Sequence, residues 1–395
     1  MRRRFRSFVL GSGAIFGLSC AFLLADAWVD FGKRPVGERR ARMEASAQWG
    51  GSGFINEEPM WNDMTSILDF ADGSDHADPQ TTLPVVFSEG AVFDTPPQTG
   101  LRVTWMGHST MVIEIDGLRI LTDPIWGERA SPFGWAGPKR WYDPPMPLSA
   151  LPELDAILIS HDHYDHLQLS TITALKDTDT TWIVPLGVGA HLVYWGVPET
   201  RIVELDWWQS HQLGTLAIHA TPTRHASGRQ LLDQNRTLWA GYALIGSEHR
   251  VYFGGDSGLT SAFQDIGEKL GPFDVTMLEI GAYHKAWPDW HLGPEQAVTA
   301  HEWLGGEAVM MPIHWGLWSL AMHGWSEPAQ RVVRAAEDAG VTLAMPRPGE
   351  SFEPGALEPL QQWWPDEVPW QTADQAPIVA RGLQSSDASV SFSQE

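Results

Sequence analysis

Apolar and polar positions alternate over short stretches between about residues 100 and 350, and this pattern predicts many short strands. Arg102–Met106, Met111–Ile115 and Leu118–Thr122 read as three successive strands. Asp116-Gly117 between the second and third is a hairpin signal. Asp155–Ser160, Trp182–Pro185, Ile202–Leu205, Leu216–His219, Gly241–Ile245, Val251–Phe253, Val275–Ile280 and Ala308–Ile313 continue the series. Helical spacing falls between some of them, over Leu167–Leu175, Thr260–Leu270 and Pro294–Leu304, and again after Ser326 as far as Gly340. Strand-rich halves with inserted helices predict an α/β fold, a four-layer sandwich of helix, sheet, sheet, helix.

The flanks break this rhythm. Residues 28–100 show little regular pattern, and Gly50–Gly53 and Asp72–Pro79 are loop material. This segment is expected to wrap over the domain at 101–350, with Phe54, Met60, Trp61, Ile67, Leu68 and Phe70 packing on it. Residues 351–395 are acidic, contain Pro and Ser, and are expected to be partly disordered. Residues 1–27 read as a signal peptide or membrane anchor. Met1–Arg6 is basic, Phe8–Ala25 is apolar and uncharged, and Ala25-Asp26-Ala27 suits cleavage. A cell-envelope location follows as an expectation, periplasmic or membrane-anchored.

Composition narrows the chemistry. The chain has 395 residues and a formal net charge of -23, a field that repels nucleic acid. Cys20 is the one cysteine, so no disulfide within the chain, thiolate zinc site or cysteine nucleophile is available to the folded domain. Ser109 lacks the strand–turn–helix Gly-x-Ser-x-Gly setting of a serine hydrolase.

The densest chemistry is His161-Asp162-His163-Tyr164-Asp165-His166, where a strand ends and a helix begins. Burying three imidazoles unpaired would cost several kcal/mol, at about 2 or more for each polar group. A pair of divalent metals explains the cluster better. Further ligand types stand just past apolar strands, namely His225, Asp256 and His314. Together they complete two sites. His161, His163 and His225 hold one ion, Asp165, His166 and His314 hold the other, and Asp256 bridges. Imidazole and carboxylate ligands favour two Zn²⁺, and iron or manganese also fits.

This ligand order resembles the metallo-β-lactamase superfamily. Within it, the chain is similar to the N-acylphosphatidylethanolamine-hydrolysing phospholipases D. The likeness runs from about residue 100 to 350, through Trp105–Thr110, Leu121–Ile125, Ala136–Arg140, Ile159–Leu167, Gly254–Gly258, Gly271–Asp274, Ile280–Tyr283 and Ile313–Gly316. Asp162 departs from it, because asparagine is expected there. The resemblance implies a zinc phosphodiesterase that converts such phospholipids to phosphatidic acid and an N-acylethanolamine by metal-bound hydroxide. It also implies that His291, before the helix starting at Pro294, contacts the substrate phosphate. A helix N-terminus suits an anion on its own account. Tyr164 has two readings, hydroxyl donor to the phosphate or packing residue. Trp287, Trp290, Trp315, Trp318, Met322 and Trp325 read more readily as core than as an acyl-chain groove. Another hydrolase on the same metals, a lactonase or soluble phosphodiesterase, is the alternative function. A non-enzymatic envelope protein is disfavoured, since structural zinc usually needs four closed ligands.

Overall fold

The computed structural model describes residues 27–62, 74, 76–230, 232–306, 308–366, 368–381 and 383. The segment 1–26 and residues Ile67, Leu68 and Phe70 lie outside them. Two seven-stranded sheets form the centre. The first contains β1 (Leu101–Gly107), β2 (Thr110–Ile115), β3 (Leu118–Thr122), β4 (Ala156–Leu158), β5 (Thr181–Pro185) and β6 (Ile202–Leu205). The second contains β7 (Ser210–Leu213), β8 (Leu216–Thr221), β9 (Gly241–Ile245), β10 (Arg250–Phe253), β11 (Val275–Glu279), β12 (Val309–Ile313) and β13 (Thr342–Leu343). β14 (Ser351–Phe352) returns to the edge of the first sheet and pairs antiparallel with β1.

Each sheet is antiparallel on one side and parallel on the other. β1–β3 form a meander, and β3–β6 run parallel. β7–β10 are antiparallel, and β10–β13 run parallel. Asp116 and Gly117 join β2 to β3 with φ of 49° and 86°, the left-handed pair that a tight hairpin turn requires.

Side-chain alternation assigns the layers. Ile113, Ile120, Leu158 and Ile183 enter the large core between the sheets. Their neighbours Val112, Leu121, Ile157 and Val184 form a second core with α2 (Leu169–Leu175) and α3 (Gly189–Tyr194). α4 (Ala262–Leu270), α5 (Pro294–Trp303) and α6 (Glu327–Ala339) pack with the second sheet. Pro294 opens α5 and the left-handed Gly340 closes α6, as their spacing predicts. The layers therefore run helix, sheet, sheet, helix.

The described parts of the flanks carry regular elements and buried anchors. α1 (Gly37–Glu44) buries only Met43, and Arg39 reaches Glu204 at 2.8 Å. Met43 and Phe54 join the inter-sheet core. The described part of the stretch after residue 350 is anchored on the domain. The 350/351 boundary falls beside β14, and Trp363 stacks on Trp315 at 5.0 Å with Trp364 3% exposed. Two large rings and a strand pair outweigh the local acidity. Residues 384–395 lie outside the described residues.

Candidate active site

The ends of the strands meet at one edge of the sandwich. Ala240 N–H donates to Ser160 O at 2.9 Å and His314 N–H donates to His108 O at 3.1 Å, so the two sheets are bonded together there. The loop after β4 carries His161, His163, Asp165 and His166. The second sheet supplies His225 after β8, Asp256 after β10 and His314 after β12.

All seven predicted ligands converge. His163 Nδ1 lies 2.9 Å from His161 Nε2 and 3.3 Å from His225 Nε2. Asp165 Oδ2 lies 3.4 Å from His166 Nε2 and 3.3 Å from His314 Nε2. Asp256 Oδ2 sits between the groups, 3.8 Å from His161, 3.7 Å from His225, 3.2 Å from His166 and 3.1 Å from His314.

Hydrogen bonds behind the rings settle which nitrogen faces the site. His225 Nδ1 donates to the Trp290 carbonyl at 2.9 Å, which leaves Nε2 as a lone pair. His166 Nδ1 donates to Asp123 Oδ2 at 2.7 Å. Ser160 Oγ donates to the same carboxylate at 2.6 Å, so it accepts from His161 Nδ1 at 2.9 Å. Nδ1 is thus taken in each ring and Nε2 faces inward, where a metal would bind; burial opposes a charged His166, yet Asp256 and Asp165 push it well above its ordinary value.

The donor set fits divalent metals. Among the described residues, His166 Nε2, His314 Nε2 and Asp256 Oδ1 are buried without a hydrogen-bond partner. The charges agree. Burial opposes ionisation of Asp165 and Asp256, yet neighbouring imidazoles hold both carboxyls well below the ordinary range. Burial likewise opposes a charged His314, yet Asp256 and Asp165 push it up to about 10. That corner demands positive charge, which a cation supplies. The His161–His163–His225 corner is different. Burial and neighbouring rings hold His161 well below its ordinary value, and burial does the same at His225, so these are neutral ligands.

Three further groups were not singled out from sequence. His108, between β1 and β2, bonds Asp165 Oδ2 at 3.1 Å, and burial pushes it down to about 3. Asp123, one residue past β3, also accepts the Ser160 N–H at 2.7 Å. Glu279 ends β11 and accepts from His291 Nδ1 at 2.7 Å and from the N–H groups of Ser257 and Leu292. His108, Asp123 and His314 all take positive φ, at 54°, 31° and 61°. Such backbone strain costs about 1–3 kcal/mol per residue and clusters at functional sites. His108 and Asp123 lay within the resemblance stretches, which was the available signal.

His291 stands beside the bridge, its Nδ1 3.7 Å from Asp256 Oδ2 and its ring 5.1 Å from His225 and 5.3 Å from His314. Tyr164 is engaged differently from the phosphate-donor reading. Its hydroxyl donates to Arg229 O at 2.8 Å, and the Arg229 guanidinium lies 4.0 Å over its ring. Asp162 points away from the ligands and accepts from Gly228 N–H at 2.7 Å, Thr237 Oγ1 at 2.8 Å and His191 Nε2 at 3.3 Å. Trp315, Trp318 and Trp325 are buried, and with Trp141 they wall a small pocket beside His314, whereas Trp287, Trp290 and Met322 are only half-buried.

A family model described as a beta-lactamase superfamily domain matches residues 118–315. An uncharacterized protein of Mycobacterium tuberculosis is 52% identical over 267 residues, 67% of this chain and 72% of its own length. The N-acyl-phosphatidylethanolamine-hydrolyzing phospholipase D 1 of Caenorhabditis elegans is 38% identical over 239 residues, 58% of this chain and 67% of its own. The solved isothiocyanate hydrolase from Delia radicum gut bacteria covers 64% of this chain and 98% of its own at TM-score 0.52 and 20% identity, a likeness of fold alone. Fold, ligand geometry and relatives agree that the chain belongs to the metallo-β-lactamase superfamily of metal-dependent hydrolases.

Proposed function

We propose that this protein is a phosphodiesterase of the phospholipase D type, using two zinc-type cations to hydrolyse N-acylphosphatidylethanolamine-like lipids to phosphatidic acid and an N-acylethanolamine. The observation that carries the reading is His291. Its ring stands against the bridging carboxylate, is oriented by Glu279, and precedes the N-terminus of α5. An oriented imidazole beside a two-cation site suits the growing charge of a phosphoryl group. The similarity to the C. elegans phospholipase supports the lipid class.

Two bound cations would supply an activated water and charge neutralisation on the phosphoryl oxygens. The protein's residues prepare the rest. Asp256 spans both ligand groups and fixes their separation. Asp123, Ser160 and the Trp290 carbonyl hold His166, His161 and His225 in the tautomers that face inward. Glu279 fixes the His291 ring, leaving Nε2 for the substrate. The basic, then apolar start of the chain supports delivery to the cell envelope.

The test is product analysis by mass spectrometry over a panel of phospholipids, soluble phosphodiesters and lactones. Phosphatidic acid and N-acylethanolamine should form, and chelator should abolish them together with bound metal. Turnover of lactones alone, or full activity without metal, overturns the reading.

A further inference from the structure

Apolar side chains gather at the surface on one face of the molecule. Among the described residues, twelve large hydrophobic side chains are exposed, and six belong here: Trp28, Val29, Val36, Val193, Tyr194 and Leu232. Specific contacts bring the segments that carry them together. Trp195 Nε1 donates to Val29 O at 2.8 Å, and Lys33 N–H donates to His191 Nδ1 at 2.9 Å. Lys33 Nζ lies 5.5 Å over the Tyr194 ring, and an Arg34 N–H reaches Leu232 O at 3.5 Å. Residues 28–36 therefore lie across the end of α3 and the loop containing Leu232.

Single exposed apolar residues are ordinary, whereas a contiguous strip marks a contact surface. This strip carries an exposed Trp and Tyr beside the exposed cations Lys33 and Arg34. That mixture suits the boundary between lipid headgroups and acyl chains. The sequence says what covers it. The uncharged apolar run Phe8–Ala25 ends just before Trp28, so the strip continues a lipid-compatible segment. The strip also backs on the metal-ligand loop. Arg229 donates to Asp30 O at 2.7 Å on one side, and to Asp162 O and Leu167 O at 2.8 Å on the other.

We propose that this strip docks the domain on a lipid bilayer and holds the ligand loop against the headgroup layer. The role in presenting substrate rests on the lipid reading above, while the docking itself does not. The full chain with Cys20→Ser tests it, labelled with a polarity-sensitive fluorophore through Val193→Cys or, as a control, Arg334→Cys on α6, in the opposite helical layer. Phosphatidylcholine vesicles should shift emission at 193 to the blue and leave 334 unmoved. No shift at 193, or equal shifts at both, overturns the proposal. A label at 193 already blue without vesicles and unmoved by them also overturns it, because the chain's own apolar run then covers the strip. In a second experiment, Val193→Glu with Leu232→Glu should lower turnover of vesicle-borne substrate about tenfold, the scale of one or two lost apolar burials. Turnover of a water-soluble phosphodiester should stay unchanged. An equal loss on both substrates overturns the proposal. Blue shift at 193 without any phosphodiester turnover would keep the docking and sink the phospholipase reading.

Discussion

The half of the site on the first sheet and the half on the second are built by opposite means. In the first, one loop places His161, His163, Asp165 and His166 within six positions. In the second, His225, Asp256 and His314 come from three separate strand ends, and only the parallel and antiparallel pairing of β8–β12 brings them together. Yet each half is organised by one buried carboxylate at a strand end. Asp123 orients His166 and Ser160, and Glu279 orients His291 and accepts two backbone N–H groups. Burial pushes both carboxyls above their ordinary values, against the pull of the histidine each one holds. Chain order supplies the ligands in one half and topology supplies them in the other, but the supporting chemistry is the same.

Asp256 joins the halves, so its loss has the largest expected effect. Asp256→Asn keeps the shape and removes the charge that lies within 3.8 Å of four imidazoles. Turnover should fall by about 10³-fold or more, the several kcal/mol that paired cations contribute. Bound metal should fall with it and the thermal midpoint should drop, because a buried charge partner and the stabilising cation are lost together, but the chain should still fold at room temperature. Metal analysis beside kinetics and melting checks this. Turnover within tenfold of the parent would mean that the two halves work independently.

His291→Ala comes next. Turnover should fall by about 10²–10³-fold, the scale of a lost oxyanion donor, with metal content unchanged. His314→Ala should instead lose one cation. If His291→Ala releases metal, then Glu279 and His291 belong to the ligand set and the second half has been misdrawn.

What could be read in the sequence follows the same division. The loop ligands were legible because contiguous imidazoles have no comfortable structural explanation. The three strand-end ligands were legible only beside that loop, since a single His or Asp after a strand is commonplace. Asp123 and Glu279 were not singled out, because one carboxylate at a strand end has no spacing to betray it, and for Asp123 only the resemblance over Leu121–Ile125 pointed there. The long strands and the helices α4 to α6 followed apolar periodicity and their caps. α1 was missed because Met43 is its one buried residue, and β7 because Ser210–Leu213 is mostly polar. The anchoring of Trp363 and Trp364 was not read from sequence, because the acidity of the stretch after residue 350 hid it.

The two organising carboxylates allow a direct comparison. Asp123→Asn should weaken metal binding about 10–100-fold, the usual cost of losing a partner behind a ligand, because His166 loses the acceptor that fixes its tautomer. Glu279→Gln should leave metal affinity within a few-fold and lower turnover instead, since its main partner His291 is not a ligand. Titration with a competing chelator separates the two outcomes. Equal loss of metal in both variants would show that the halves are not organised separately.

The smallest effect is expected at Arg229, which supports the first half from outside the metal shell. Its Nη1 donates to Asp162 O and Leu167 O, both at 2.8 Å, and so ties the two ends of the ligand loop. Its Nε and Nη2 hold Asp30 O at 2.9 and 2.7 Å. A planar fork can serve carbonyls on two sides at once, whereas an ammonium on a flexible stem cannot. Arg229→Lys keeps the charge and loses that geometry. The loop should loosen, and metal affinity should fall about 3- to 10-fold, at or below the lower end of what supporting groups contribute. Turnover at saturating metal should return to near the parent value, because no group in contact with substrate has changed. His291→Ala would show no such recovery. If added metal fails to restore Arg229→Lys, the arginine does more than tie the loop, and the support of the first half reaches into the reacting centre itself.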